Sequence, residues 1–233
     1  MIVVFGTRKG GAGKSTLSLN IAALRKLKGH DVCMVDCDDQ KTVTRWNATR
    51  NEHGVEPAIP LINALGTDVV SIIREQAKRY DDLVIDVPGR DAAELRHSLL
   101  VCDVMVIPVK VSLTDVWALE KDIAMVYELQ QQRKAIGLGM RVVMLFNEVP
   151  TLPNVRDKQI NDLAEVILKM QDQMQAAGIE VCSVQITDRD SFKKVLGKGK
   201  SIFEIPPENQ TKSDQSAQEE MQGLYDFIYG VEK

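Results

Sequence analysis

A chain of 233 residues, 44% hydrophobic and 27% charged, has the size and composition of an α/β unit with a well-buried core. Its net charge of −4 excludes a generally basic nucleic-acid coat, so any such contact must come from a local patch. No run approaches the roughly 18 apolar residues of a membrane span. The apolar run beginning at Ile2 leaves no room for a signal peptide, and a cytoplasmic protein is expected. Cys33, Cys37, Cys102 and Cys182 form no C-x-x-C pair and read as buried reduced thiols. Three scattered histidines argue against a transition-metal site.

Ile2 to Phe5 is apolar, and Leu17 to Lys28 has helical spacing. Between them lies Gly6-Thr7-Arg8-Lys9-Gly10-Gly11-Ala12-Gly13-Lys14-Ser15-Thr16. Strand, glycine loop and helix in that order aim backbone N–H groups and a helix N-terminus at one point, where an anion is stabilised. Gly10, Gly11, Ala12, Gly13 and Thr16 belong to this phosphate cradle. Lys14 reaches the β- and γ-phosphates, and the Ser15 hydroxyl ligates Mg²⁺. The strict phosphate-loop pattern asks for glycine where this chain has Arg8, and a second lysine, Lys9, precedes the Gly-Gly pair.

Gly29 ends the first helix. Val32 to Val35 reads as a second buried strand, delivering Asp36-Cys37-Asp38-Asp39-Gln40 at its C-terminal tip, the edge where open parallel sheets bind ligands. Aspartates there are either turn formers or site residues. As site residues, Asp36 is placed to act on the Mg²⁺ shell and Asp38 to orient or deprotonate an attacking water. Thr42 to Asn51 looks helical, and Pro57 to Ile62 suggests a short strand. Asp68 to Tyr80 has helical spacing with Asp68 as N-cap. Leu83 to Asp86 is an apolar strand ending in a carboxylate, the Walker B arrangement that holds a Mg²⁺-bound water. Pro88-Gly89 then turns the chain beside the γ-phosphate, and the following Arg90 is either functional or merely solvated.

Further on, Asp91 to Leu100 reads as a helix and Val104 to Val109 as a doubly covered strand. Leu113 to Gln132 is a long helix, and Met140 to Phe146 a strand ending at Asn147. Val155 to Ala177 reads as one long helix with Leu163, Val166, Ile167 and Met170 on one face, and Gly178 to Val184 as an edge strand. Pro206 to Ser213 is a linker and Gln215 to Tyr229 a terminal helix. This alternation implies an α/β, doubly wound, mostly parallel sheet with helices on both faces. Asn147 either bonds the adenine edge or caps its own turn. A guanine site of the Asn-Lys-x-Asp type is excluded, because Glu148 and Pro150 follow.

Lys9 to Thr16, Asp36-x-Asp38 and Leu83 to Gly89 together resemble the deviant-Walker ATPases of the ParA/MinD class, whose distinguishing mark is the lysine before Gly-Gly. Asp36 to Trp46 and Ile186 to Glu204 resemble the small plasmid-partition ParA proteins. The resemblance covers residues 1–204, leaving 205–233 as a linker and helix packed on or extending the same domain. Asp39 departs from the family's usual proline and Ser15 from its commoner threonine. The resemblance implies a P-loop NTPase fold of the SIMIBI type and an ATP-dependent DNA partition ATPase acting with ATP and Mg²⁺. It also implies a homodimer on ATP, in which Lys9 reaches the partner's phosphates, and slow hydrolysis stimulated by a small centromere-binding or cargo-adaptor protein. Lys9, Lys14 and Asp38 are then the catalytic residues. The alternative for Lys9 is a solvated lysine.

Arg189, Lys193, Lys194, Lys198 and Lys200, set against Asp188 and Asp190, give a local surplus of three positive charges. They form an ordinary solvated face or, as the resemblance implies, a surface for non-specific DNA that keeps the protein on the nucleoid. Lacking aromatics beyond Phe192, the cluster suits phosphate contact rather than base reading. A MinD-like ATPase acting at a membrane or on a protein compartment is the alternative. Glu204 to Lys233 carries seven acidic residues against two lysines, which opposes a membrane-binding tail helix.

Overall fold

The computed structural model describes residues 1–231, so Glu232 and Lys233, counted in the tail charge above, lie outside the described residues. The chain opens β1 (Ile2–Phe5), α1 (Lys14–Leu27), β2 (Val32–Asp36), α2 (Thr42–Glu52) and β3 (Leu61–Asn63). It continues α3 (Val69–Gln76), β4 (Asp82–Asp86), α4 (Ala93–Leu99), β5 (Val104–Val109) and α5 (Leu113–Ala135). It ends β6 (Arg141–Val149), α6 (Pro153–Lys169), α7 (Gln171–Ala176), β7 (Ile179–Thr187), α8 (Asp190–Leu196) and α9 (Lys212–Tyr229). Among the described residues seven strands form one sheet in the order β3-β2-β4-β1-β5-β6-β7. Every strand pair is parallel.

Alternation along the central strand sends Val3 and Phe5 to one face and Val4 to the other. Helices α1, α2, α8 and α9 cover the first face, and α3, α4, α5 and the α6–α7 pair cover the second. Both faces being covered explains why β2, β4 and β5 are buried at every position. Strand β1 lies between β4 and β5. The phosphate loop therefore leaves the middle of the sheet, flanked by the tip of β4, with the tip of β2 next along. All four cysteines are buried and free. Burial pushes the Cys33, Cys37 and Cys102 thiols up to about 12.

Several local expectations change. The single helix from Val155 to Ala177 is broken at Met170, whose N–H bonds the carbonyl three residues back, on Ile167, at 3.0 Å. That tightened turn re-aims the chain so that Met170 and Met174 both enter the core, whereas α6 itself fully buries only Leu163. Asp68 precedes α3 but makes no side-chain cap; its carbonyl instead accepts the Ser71 hydroxyl at 2.8 Å. The short strand foreseen from Pro57 starts only at Leu61, since neither Pro57 nor Pro60 has an N–H to offer a ladder. The expected linker holds a 3₁₀ turn at Pro207–Asn209. Helix α9 starts at Lys212 behind a reciprocal Thr211–Asp214 cap, and buries Ala217, Met221, Leu224, Tyr225 and Ile228.

Arg50 on α2 is fully buried and reaches Glu204 through two bonds of 2.6 and 3.0 Å. It also donates to the carbonyls of Gly199 and Pro57. One guanidinium thus joins α2 to the segment after α8. Replacing Glu204 by alanine strands that buried charge, and a loss of about 3–5 kcal/mol is expected. Urea unfolding measures it, and a change below about 1 kcal/mol would contradict the assignment.

Candidate nucleotide site

Gly13 is the N-cap of α1, with φ +86. A Cβ there would stand 2.2 Å from the Asn147 amide nitrogen, so glycine is required by both conformation and space. Asn147 itself lies inside β6, which runs on to Val149, and is buried. Its side-chain N–H donates to the Ala12 carbonyl at 2.8 Å. Its amide therefore braces the phosphate loop rather than capping a turn. On the loop's other side, Gly89 lies against Gly10 backbone to backbone, where a Cβ would come within 2.7 Å of the Gly10 Cα.

The first half of the loop is pinned from a distance. Asp122, buried on α5, accepts the Thr7 hydroxyl at 2.7 Å and the Arg8 N–H at 3.1 Å. Burial raises its pKa, and those two hydrogen bonds oppose the rise. Lys14 is buried and folds back to donate to the Lys9 carbonyl at 3.2 Å. Burial lowers its pKa, and the charges of Asp86, Asp38 and Asp122 work the other way. The loop, Asp38, Asp39, Gln40, Thr42, Pro88, Gly89, Arg90 and Glu148 enclose a cavity of about 530 Å³. Sequence reading brought the loop, Asp38 and the β4 tip to this place, and they meet there.

Three carboxylates differ in what they hold. Asp86 is fully buried; one oxygen accepts the Ser15 hydroxyl at 2.6 Å and the other has no partner. Burial pushes this group up to about 7. A partnerless buried carboxylate oxygen beside a hydroxyl fits a divalent cation, whose charge would reverse that cost. Among the described residues no three His, Cys, Asp or Glu side chains converge as a metal cage. That is compatible with Mg²⁺, which takes one or two protein ligands and completes its shell with phosphates and water. Asp36, foreseen in the Mg²⁺ shell, also serves the backbone beside it. Its carboxylate accepts the Thr44 N–H at 3.0 Å, the Thr44 hydroxyl at 2.6 Å and the Asp38 N–H at 3.1 Å. It satisfies the N-terminal turn of α2, which has no side-chain cap of its own. Asp38 accepts the Gln40 N–H at 3.0 Å, and burial raises its pKa.

Lys9 does not line this cavity. It faces a neighbouring hollow of about 440 Å³ with Arg8, Arg90, Asp91, Lys121 and Trp117, the last 56% exposed. On the opposite flank Asn147 and Glu148 share a small hollow with Gly13, Thr16, Thr187 and Phe192. Glu148, at φ +52, pairs with Lys110. Asp122, Glu148 and Trp117 went unrecognised in the sequence. An acid on the buried face of α5, one turn after Leu119 and one before Val126, is the signal that points to Asp122.

The basic cluster is divided. Arg189 is bound to Glu220 at 2.7 Å, with both side chains largely covered. Lys193 is exposed beside Asp188 and Asp190. Lys194, Lys198 and Lys200 line a separate hollow after α8.

A family model described as ATPase MipZ matches residues 1–136. Maintenance of carboxysome distribution protein A from Halothiobacillus neapolitanus is 24% identical over 208 residues, covering 89% of this chain and 88% of that protein. Protein ParA from Rhizobium radiobacter is 20% identical, covering 88% of this chain and 86% of that one. Among solved structures, an ATP complex of McdA from Cyanothece superposes with a TM-score of 0.74 at 16% identity. It covers 100% of this chain and 97% of the other, and so supports the fold.

Proposed function

Since the chain belongs to the family of ATPase MipZ, we propose that it positions a cargo by binding non-specific DNA as an ATP-bound homodimer. A cargo-bound adaptor protein then stimulates hydrolysis and releases it. Lys9 carries this reading. A lysine of the phosphate loop whose side chain lies outside its own cavity, beside an exposed tryptophan, is available to a second protomer's phosphates. Relatives named for carboxysome distribution and for ParA favour a cargo that is placed in the cell, either a protein compartment or DNA. No helix among the described residues is long and apolar enough to cross a membrane, and the acidic tail opposes a membrane-surface role.

In hydrolysis the water oxygen bonds the γ-phosphorus while the bond from that phosphorus to the bridging oxygen breaks. The bridging oxygen keeps the electron pair and leaves on ADP. Asp38 orients the water and takes its proton, a task helped by the upward shift that burial imposes on its carboxyl. Lys14 and the loop N–H groups bind the β- and γ-phosphates, and Lys9 of the second protomer meets the charge that builds in the transition state. Ser15 and Asp86 would hold Mg²⁺, which supplies neutralisation of the phosphate oxygens. The hollow by Asn147 and Phe192 would receive the base, with Asn147 within reach of the adenine edge.

The DNA surface consists of Lys193, Lys194, Lys198 and Lys200; Arg189, given to Glu220, contributes through position alone. Eight lysine–phosphate contacts, four from each protomer of the dimer, predict about ten-thousandfold weaker binding of a random-sequence duplex between about 50 and 200 mM salt. The binding requires ATP, because dimerisation doubles the patch. Changing Lys193 and Lys194 to glutamate is expected to abolish it, with light scattering confirming that the dimer still forms. Salt-sensitive binding that survives in that variant would refute this placement.

A further inference from the structure

Arg90 and Asp39 rise from the two loops that border the phosphate cavity, Arg90 from the turn after β4 and Asp39 from the tip of β2. Their side chains meet at its mouth, with guanidinium N–H groups donating to the two carboxylate oxygens at 3.0 and 3.5 Å. Both residues line the cavity that holds Lys14, and Arg90 also lines the hollow that holds Lys9. The pair is open to water, with side chains 58% and 49% exposed. An ion pair so exposed is weakly held, and either member can leave without stranding a buried charge.

A triphosphate entering the cavity changes the competition for that arginine. Its terminal phosphate brings concentrated negative charge toward the loop carrying Asp38 and Asp39, and repels both. A planar guanidinium matches phosphate oxygens through two parallel N–H bonds, a stronger arrangement than its partly solvated contact with one carboxylate. A diphosphate ends one phosphate short and exerts less of this pull.

We propose that Arg90 is a second phosphate-binding residue of this site, which tells triphosphate from diphosphate, and that Asp39 holds it in reserve until the triphosphate arrives. This rests on the nucleotide-site reading and adds to it a residue that the loop motif does not contain. Released from Arg90, Asp39 returns to water at the cavity's rim, so the exchange also marks on the surface which nucleotide is bound.

The proposal differs in sign from a simple clasp between two loops. A clasp loses its function when either partner is removed, so both variants would move nucleotide affinity the same way. A reserve position predicts opposite signs. Binding of AMPPNP and of ADP, each with Mg²⁺, is measured by calorimetry on the full chain and on R90Q, D39N and R90K. Arg90→Gln is expected to weaken AMPPNP about tenfold or more, the loss of charge-assisted hydrogen bonds to phosphate. ADP should stay within about twofold, since the shared contacts to Lys14 and the loop remain. Asp39→Asn is expected to tighten AMPPNP, and Arg90→Lys to recover part of the lost preference, because the charge returns without the fork. Equal weakening of both nucleotides by Arg90→Gln, or weaker AMPPNP binding in Asp39→Asn, overturns this inference alone. An unaltered chain that binds neither nucleotide overturns the site reading and takes this inference with it.

Discussion

Replacing Lys14 by alanine is expected to remove the proposed ATP-dependent dimers, and replacing Lys9 by alanine is expected to do the same for a different reason. Lys14 is the buried cation of the cavity, facing the charges of Asp86, Asp38 and Asp122. Without it the cavity loses the buried cation that meets the incoming phosphates, and ATP affinity should fall by at least about a hundredfold. Lys9 contributes nothing to the wall of its own cavity, so its alanine variant keeps near-normal ATP affinity as a monomer. What it loses is the contact across the pair. Nucleotide titration separates the two variants, and light scattering with and without ATP unites them. A Lys9→Ala protein that still pairs on ATP would remove the ground for a shared site.

That distinction also marks how far the chain could be read before its structure. The glycine–lysine loop, the carboxylate-tipped strands and the apolar runs are local patterns, and local patterns carry phosphate binding and parallel strands directly. Lys9 was conspicuous by its spacing, yet only the fold places it outside the cavity. What could not be read depends on partners far away in the chain. Asp122 holds Thr7 across 115 residues, and Arg50 finds Glu204 across 154. Asp36 is conspicuous because it ends a strand beside the site, but that its carboxylate also accepts from Thr44 on the following helix is visible only in the fold. Met170 breaks α6 from α7 because the core accepts it and Met174 together, a packing fact invisible to helical periodicity. Arg189 counted as basic surface until Glu220 on α9 was seen to hold it.

Replacing Asp38 by alanine separates binding from turnover. The side chain lines the phosphate cavity while bonding only the loop that carries it, through the Gln40 N–H. Its removal leaves the Lys14 contact, the Ser15–Asp86 pair and the Asp122 brace intact, so ATP should still bind and the dimer still form. Hydrolysis should fall by about a hundredfold to ten-thousandfold, the usual contribution of a positioned general base. Asp38→Asn is the sharper control. An amide can orient a water but cannot take its proton, so turnover matching the alanine variant assigns proton transfer to Asp38, and near-normal turnover assigns orientation alone. Phosphate release measures both. If Asp38→Ala hydrolyses ATP at the unaltered rate while forming the same dimer, the attacking water is served by another group, and Asp38 is left as a turn former at the end of β2.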